Sequence, residues 1–469
     1  MEHIKIDKLG RFGSGNSSPL ALVNDEEKRG PIEKGLEKFL VKNRDKFAYI
    51  HFAMFIVFLL FYLVPPFLPL PAEDATPLDN YFLFVKFAVW GLWFPLLLLS
   101  IIFFGRAWCG IFCPQGAAGE YFNKRNGKSR SLPKWIKWEG TPIASFIIIT
   151  ILGQTIGVRD YPKPMLLLFG GTTVIAAFIG YRYTKGFRGW CRHLCPVGIL
   201  LGIFSRLGMV EIKKGDLGGL KTACPTYINL STKSSARHCI ECMRCVNPES
   251  KGTLHFKLRS PGKEIEQIRS YEPHIYEVAF LFLATGLALG GFYWITSPLF
   301  VQFKGFMGGL MLQTGLVSLI GQNPPWWLGV NYPEAGDVFN WLDVIAISSF
   351  MILFMIITGL ALFMLTTLSS LLMEEKGKTV MEKVTILGYA YAPVALLSLI
   401  LGLGAELFAL MEVFNVSSGF VRNIRISILT VAVTWSIYLH YKLTGKRILP
   451  TLPNSVGALL VMGAWYPVI

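Results

Sequence analysis

Charge is what this sequence has least of. Asp, Glu, Lys and Arg make up 16% of its 469 residues while 52% are apolar, a balance far from that of a soluble globular domain. Signals for several common chemistries are missing as well. There is no P-loop, no dinucleotide-binding glycine fingerprint and no Ser-His-Asp pattern in a suitable context. No secretory signal is read at the N-terminus, because the first 46 residues are polar and charged and lack the short apolar run before a cleavage site. Two loops, 71–80 and 323–341, contain no Lys or Arg at all.

What stands in place of charge is a series of long apolar runs. A bilayer crossing needs about 20 mostly apolar residues, and the runs at 48–70, 81–105, 142–158, 164–182, 275–297, 343–372, 384–411, 426–441 and 454–469 qualify. The Gly-rich segment 305–321 is short, so it reads equally as a re-entrant or interfacial piece or as a tenth span. The expected fold is an all-α polytopic membrane protein of about nine to ten transmembrane helices.

The net charge of +15 does not call for nucleic acid, because its distribution along the chain explains it. Arg106, Lys124, Arg125, Lys128, Arg130, Lys134 and Lys137 follow the second span, and the region after the fourth is equally basic. By the positive-inside rule the N-terminus and the loop 183–274 are cytoplasmic. Arg159, Lys163, Lys304, Arg422 and Arg425 fall on the other side against the rule. Four parts follow: a cytoplasmic N-terminal segment (1–46), a four-helix membrane core (47–204), a small cytoplasmic insert (205–274) and a C-terminal membrane domain of about five helices (275–469). The insert is too small for a large apolar core, so a metal centre would supply much of its stability.

The eight cysteines fall into motifs. RAWCGIFCPQG (106–116) and RGWCRHLCPVG (188–198) share the frame R-x-W-C-x3-C-P-x-G at the ends of even-numbered spans, which suggests two halves related by a pseudo-two-fold axis along the membrane normal. CIECMRC (239–245) has the C-x2-C-x2-C spacing that wraps three corners of a 4Fe-4S cubane. The next Cys of a ferredoxin run is missing there, and Cys224, followed by Pro225, is the natural replacement. Eight cysteines make two sets of four, hence two 4Fe-4S clusters on Cys109, Cys113, Cys191, Cys195, Cys224, Cys239, Cys242 and Cys245. Disulfides are excluded on the reducing side of the membrane. Zinc is the rival for the insert, although zinc ribbons favour paired C-x2-C knuckles. In a local assignment each motif class holds its own cluster, and in an exchanged one a Cys-Pro ligand crosses over; the sequence leaves both open. Arg106, Arg188 and Arg192 adjoin the thiols and would offset cluster charge, or simply anchor the positive side.

The paired C-x3-C-P motifs, the KWIKW at 134–138 and the Cys-rich insert resemble the membrane polyferredoxin family that includes NapH, NosR and CcoG, over about residues 48–250. The resemblance implies a four-helix electron-transfer core with ferredoxin-like clusters at the cytoplasmic face of the cytoplasmic membrane. Two departures stand out: a single C-x2-C-x2-C run where relatives often have two, and no flavin-binding domain before the spans.

The expected function is electron exchange between a membrane quinol or quinone and a protein redox partner, as a quinol dehydrogenase or electron-transfer subunit of an oxidoreductase complex. An assembly or metal-reduction factor for another respiratory enzyme is the alternative, and a transporter a third. His51 and His440 are the only histidines within spans, but such residues are more often packed and hydrogen-bonded, so haem is not expected. His193 reads as a neighbour of the cluster rather than a ligand. Lys86 and Glu406 lie in spans, where an ionisable group marks a proton or quinone path by default. Asp79, Asp343 and Glu406 are the carboxylates expected to take protons from a quinol.

Overall fold

The computed structural model describes residues 29–468 apart from 73, 127–129, 184–186, 215–223, 231–232, 234, 247–253 and 414–415. The expected N-terminal segment up to residue 28, and Lys128 of the basic loop, lie outside the described residues. All of the apolar runs are helical. Among the described residues eight helices are long and apolar enough to cross a membrane. The run 142–158 forms a shorter apolar helix, Thr141–Thr155. The segment 305–321 divides between a helix that begins earlier, Pro298–Gln313, and a turn at Ser318–Gly321. At 1.5 Å per residue, sixteen residues fall short of a hydrocarbon core about 30 Å thick.

The first part of the chain runs through α1 (Pro31–Asn43), α2 (Phe47–Leu63), α3 (Tyr81–Phe104), α4 (Ala107–Ile111), α5 (Pro114–Asn126), α6 (Thr141–Thr155), α7 (Pro162–Arg182), α8 (Gly189–His193) and α9 (Pro196–Phe204). The internal repeat is visible in the backbone. Both α3 and α7 widen into a π-helical stretch, at Phe87–Trp93 and Leu166–Gly170, and each is followed by one cysteine motif. Helices α5 and α7 touch backbone to backbone where Gly119 meets Gly180, since a Cβ on Gly180 would collide with the Gly119 carbonyl.

After α9 the chain forms the only strand pair longer than two residues among the described residues, β1 (Val210–Lys214) and β2 (Leu254–Leu258), antiparallel with Val210 opposite Leu258. Its free edge is closed by a helix. Glu33 and Glu37 of α1 accept the N–H groups of Leu258 and Phe256, both at 2.7 Å, a device that blunts an edge strand. The first span thus reaches past the membrane as a helix and grips this unit.

The second half comprises α10 (Ile275–Thr296), α11 (Pro298–Gln313), α12 (Trp341–Leu372), α13 (Val380–Leu403), α14 (Ala405–Val413), α15 (Ser418–Leu443) and α16 (Ile448–Trp465). Gly286 and Gly290, one turn apart on α10, let α12 approach so closely that a Cβ on Gly286 would lie 2.6 Å from the Phe354 carbonyl oxygen; small residues at this spacing drive helix pairing in lipid. The apolar stretch of α13 is buried throughout, and Leu396, Leu397 and Ile400 share one core with Leu97, Leu98 and Ile101 of α3 and Leu200, Leu201 and Phe204 of α9. A buried ion cluster ties the strand unit to both halves. Arg206 donates to Glu264 (2.7 Å) and Glu277 (3.0 Å), Arg259 pairs with Glu264 (2.8 Å), and the Tyr389 hydroxyl donates to Glu277 (2.5 Å). Buried charges are tolerable when paired and bonded in this way.

Candidate metal centres

The two C-x3-C-P motifs fold identically. In the first, the N–H groups of Phe112 and Cys113 both donate to the Trp108 carbonyl, at 2.9 and 3.0 Å; in the second, those of Leu194 and Cys195 both donate to Trp190, at 3.0 and 2.9 Å. Each short helix therefore closes on itself and turns the second Cys to the start of the next helix. Proline at the following position has the φ a helix start needs and no N–H to leave unpaired. The last Gly of each motif donates its N–H to the Cys before the proline: Gly116 to Cys113 Sγ at 3.5 Å, and Gly198 to the Cys195 carbonyl at 3.1 Å. Donors at a helix start favour a thiolate. Space there is tight, since a Cβ on Gly116 would lie 3.0 Å from the Arg188 guanidinium and 3.6 Å from Cys191 Sγ.

Cys109, Cys113, Cys191 and Cys195 are electrostatic neighbours of one another. Burial, and then Cys109 and Cys191, push the Cys113 thiol up to about 12. Burial carries Cys191 to about 11 although Arg188 pulls the other way. Thiols that raise one another in this manner ionise together only when a cationic centre compensates them, and metal binding is what supplies that compensation.

The other four cysteines, Cys224, Cys239, Cys242 and Cys245, line one small pocket together with Ile228 and Leu230. Within the CIECMRC loop Glu241 and Met243 have positive φ, 52° and 57°. Left-handed backbone at non-glycine residues is costly and persists where the surroundings impose it. Arg44, at the end of α1, closes the loop by donating to the Val246 carbonyl at 3.0 Å. Thr226 pins Cys224 beside the loop: its hydroxyl lies 3.3 Å from Cys224 Sγ and donates to the His238 carbonyl at 2.9 Å. Burial pushes Cys239 up to about 12, and Cys245 is raised by burial and by Cys239, Cys242 and Cys224. The eight thiols are thus sorted by motif class. Among the described residues no three His, Cys, Asp or Glu side chains converge at single-ion spacing.

The two sets are joined by close backbone contact and by arginines. A Cβ on Gly110, inside the first motif, would collide with the Ile240 carbonyl of the loop. Arg188 donates its backbone N–H to the Pro225 carbonyl (2.6 Å) and its guanidinium to the Cys109 carbonyl (2.8 Å) and Glu120 (2.7 Å). Arg106 donates to the Arg237 carbonyl at 2.7 Å and lies 4.0 Å from Cys109 Sγ. Both arginines are only 2% exposed, so simple anchoring at the membrane surface does not account for them. Glu120 and Glu241 were not legible in the sequence. Glu120 accepts from Arg188, from Arg244 (2.7 Å) and from Lys124 (2.7 Å). Glu241 is buried against Gly105, whose φ of 56° and missing Cβ make room for the carboxylate.

A 4Fe-4S binding domain matches residues 87–133 and 162–214, which include both C-x3-C-P motifs. The curated proteins add an uncharacterized protein of Methanocaldococcus jannaschii, 28% identical over 32% of this chain and 64% of its own length. YccM of Escherichia coli, named for electron transport, is 28% identical over 34% of this chain and 52% of its own. The methylamine utilization ferredoxin-type protein MauN of Methylorubrum extorquens is 28% identical over 34% and 55%. The resemblance read from the motifs holds. Over these residues the chain is similar to 4Fe-4S and ferredoxin-type electron-transport proteins. The matched part spans between 52% and 64% of the length of these three relatives, and no solved structure matches.

Around this polyferredoxin-like core the remaining candidates have structural partners. Glu406 is held by Arg159 (3.4 Å) and Lys86 (3.5 Å), and Lys86 also pairs with Asp160 (2.9 Å). Asp343 pairs with Lys304 and caps α12, its carboxylate accepting the Asn340 N–H at 3.0 Å. Asp79 accepts the Thr76 N–H at 2.7 Å. His51 faces Glu120 and Arg188 whereas His440 packs edge-on against Tyr391, ring centres 4.7 Å apart, so the two histidines do not form a haem pair. His193 lines a cleft next to Cys191 and Cys195.

Proposed function

We propose that this protein is a membrane-bound electron carrier with two 4Fe-4S clusters, which exchanges electrons between a membrane quinol or quinone and a protein redox partner. One observation carries the reading: eight buried or half-buried thiols stand in two sets of four, in contact through Gly110 and Arg188, one set at the ends of membrane helices and the other in the insert. Cys109, Cys113, Cys191 and Cys195 would hold one cluster and Cys224, Cys239, Cys242 and Cys245 the other, which is the local assignment. Bound clusters supply one-electron chemistry. The chain's own residues bury the thiols, point helix-start N–H groups at them and place Arg106 and Arg188 where they offset negative charge, which raises a cluster's potential. The 4Fe-4S domain match and the names of YccM and MauN support electron transfer. The distribution of Lys and Arg supports the cytoplasmic side of the cytoplasmic membrane for the clusters and for the insert 205–274.

The test is reduction by quinol. Anaerobically purified protein in liposomes should lose visible absorbance and gain a reduced-cluster EPR signal on addition of a naphthoquinol or ubiquinol, and Cys191→Ser should abolish the response. Clusters that stay oxidised with every quinol, together with a deletion strain whose respiratory enzymes lack their metal, would establish the assembly-factor alternative instead.

A further inference from the structure

A cleft opens beside the first set of thiols, lined by Cys191 and Cys195 together with Trp138, Glu139, Arg192 and Arg237. Its mouth lies where the helical turn Lys134–Lys137 leads into the apolar helix α6. Trp135 and Trp138 are both more than half exposed there, as tryptophans are at a membrane–water boundary. The Trp138 ring is set over the backbone of Gly140, where any Cβ would strike it. Arg192 contributes Nη1, a buried donor with no partner, and a buried unpaired donor is a vacancy that a ligand oxygen fills favourably. Across from it Glu139 keeps a half-exposed carboxylate, 3.3 Å from Arg237 and 3.9 Å from His274.

We infer that this cleft is the headgroup site for the membrane quinol, with Trp138 against the ring, Arg192 donating to one quinol oxygen and Glu139 accepting the proton of the other. The inference rests on the quinol reading above and deepens it. A flat ring with oxygens at opposite ends suits a site that offers an aromatic face, an unpaired donor and a carboxylate, beside the thiols and next to exposed tryptophans at the start of an apolar helix. Oxidation breaks the two O–H bonds and releases two protons and two electrons. An iron-sulfur centre on the adjoining thiols would take the electrons one at a time; the proton of the oxygen facing Glu139 passes to that carboxylate and from its exposed oxygen to water, and the proton of the oxygen held by Arg192 passes directly to water in the cleft. Glu406 and Asp343, the carboxylates paired with Lys86, Arg159 and Lys304, do not line this cleft.

The experiment uses the full-length protein with its clusters in liposomes and an azido-naphthoquinone photolabel. The label is expected on the peptide carrying Trp138 and Glu139, with naphthoquinone competing. Glu139→Gln and Trp138→Leu should each weaken labelling, and raise the naphthoquinol concentration for half-maximal cluster reduction, by about tenfold, the factor that 1.4 kcal/mol of lost binding produces, with iron content unchanged. Label at residues 404–413, unchanged labelling in both variants, or competition by phosphatidylglycerol in place of naphthoquinone overturns the cleft assignment even if quinol reduces the wild type. Label in the cleft without any reduction by quinols would keep the binding site and sink the electron-donor reading. Neither label nor reduction sinks both.

Discussion

Replacing Glu120 by Ala tests whether the contact between the two cysteine sets is held by one buried charge. Glu120 is 13% exposed and carries three cationic partners of very different burial: Arg188 at 1%, Arg244 at 39% and Lys124 at 66%. The pairs with Arg244 and Lys124 are solvated, so each contributes at most about 1 kcal/mol. Arg188 is different. Without Glu120 its guanidinium keeps only the Cys109 carbonyl and is left charged in the interior, which costs about 3–5 kcal/mol. Glu120→Ala should therefore destabilise by about 3–5 kcal/mol and Lys124→Ala by less than about 1 kcal/mol. Burial pushes the Glu120 carboxyl upward, but the guanidiniums of Arg188 and Arg244 outweigh it and hold the group well below its ordinary value of 4.5. A depressed folded-state pKa contributes stability that is fully present above the unfolded value and is lost only as pH falls through the folded one. The difference between wild type and Glu120→Ala should accordingly stay level from pH 8 down to about pH 5. Thermal unfolding in detergent, followed by circular dichroism, with iron retained after gel filtration, measures both effects. A Glu120→Ala protein that melts with the wild type, or a Lys124→Ala protein that loses as much, would refute the argument.

Anaerobically purified protein should contain about eight iron and eight acid-labile sulfides, as two Cys-ligated cubanes require; four iron, or a full equivalent of zinc by elemental analysis, would remove one cluster from the reading. Gly110→Ala should cost about 1–3 kcal/mol of melting stability, as overpacking does, and should lower iron content, because its Cβ collides with the Ile240 carbonyl. Gly309→Ala in α11 meets open space and should be neutral or stabilising by up to about 1 kcal/mol. A reporter fused within 215–223, outside the described residues, should be cytoplasmic and one within 72–79 external; the reverse would place the thiols in an oxidising compartment.

Every apolar run that reads as a span is a helix, because a segment in lipid must satisfy its own backbone and only its length and hydrophobicity matter. The C-x3-C-P repeat was legible for a similar reason. Its hydrogen bonds to Trp108 and Trp190 lie within a few residues of one another, so local sequence is enough to specify them. The eight thiols and the C-x2-C-x2-C loop were legible by spacing alone.

Other features depended on residues far apart in the chain. Which cysteines lie near one another depends on contacts between distant segments, such as that of α5 with α7 through Gly119 and Gly180 and that of Gly110 with the Ile240 carbonyl. Arg106 and Arg188 look like surface anchors in sequence and are buried donors in the structure. The carboxylates at the far face, Glu406 and Asp343, look free until Lys86, Arg159 and Lys304 arrive beside them. Hydrophobic length and local spacing act over a few residues and survive in the sequence. The partner of a charge and the depth of a cleft are set by which helices meet, and tertiary packing alone decided those.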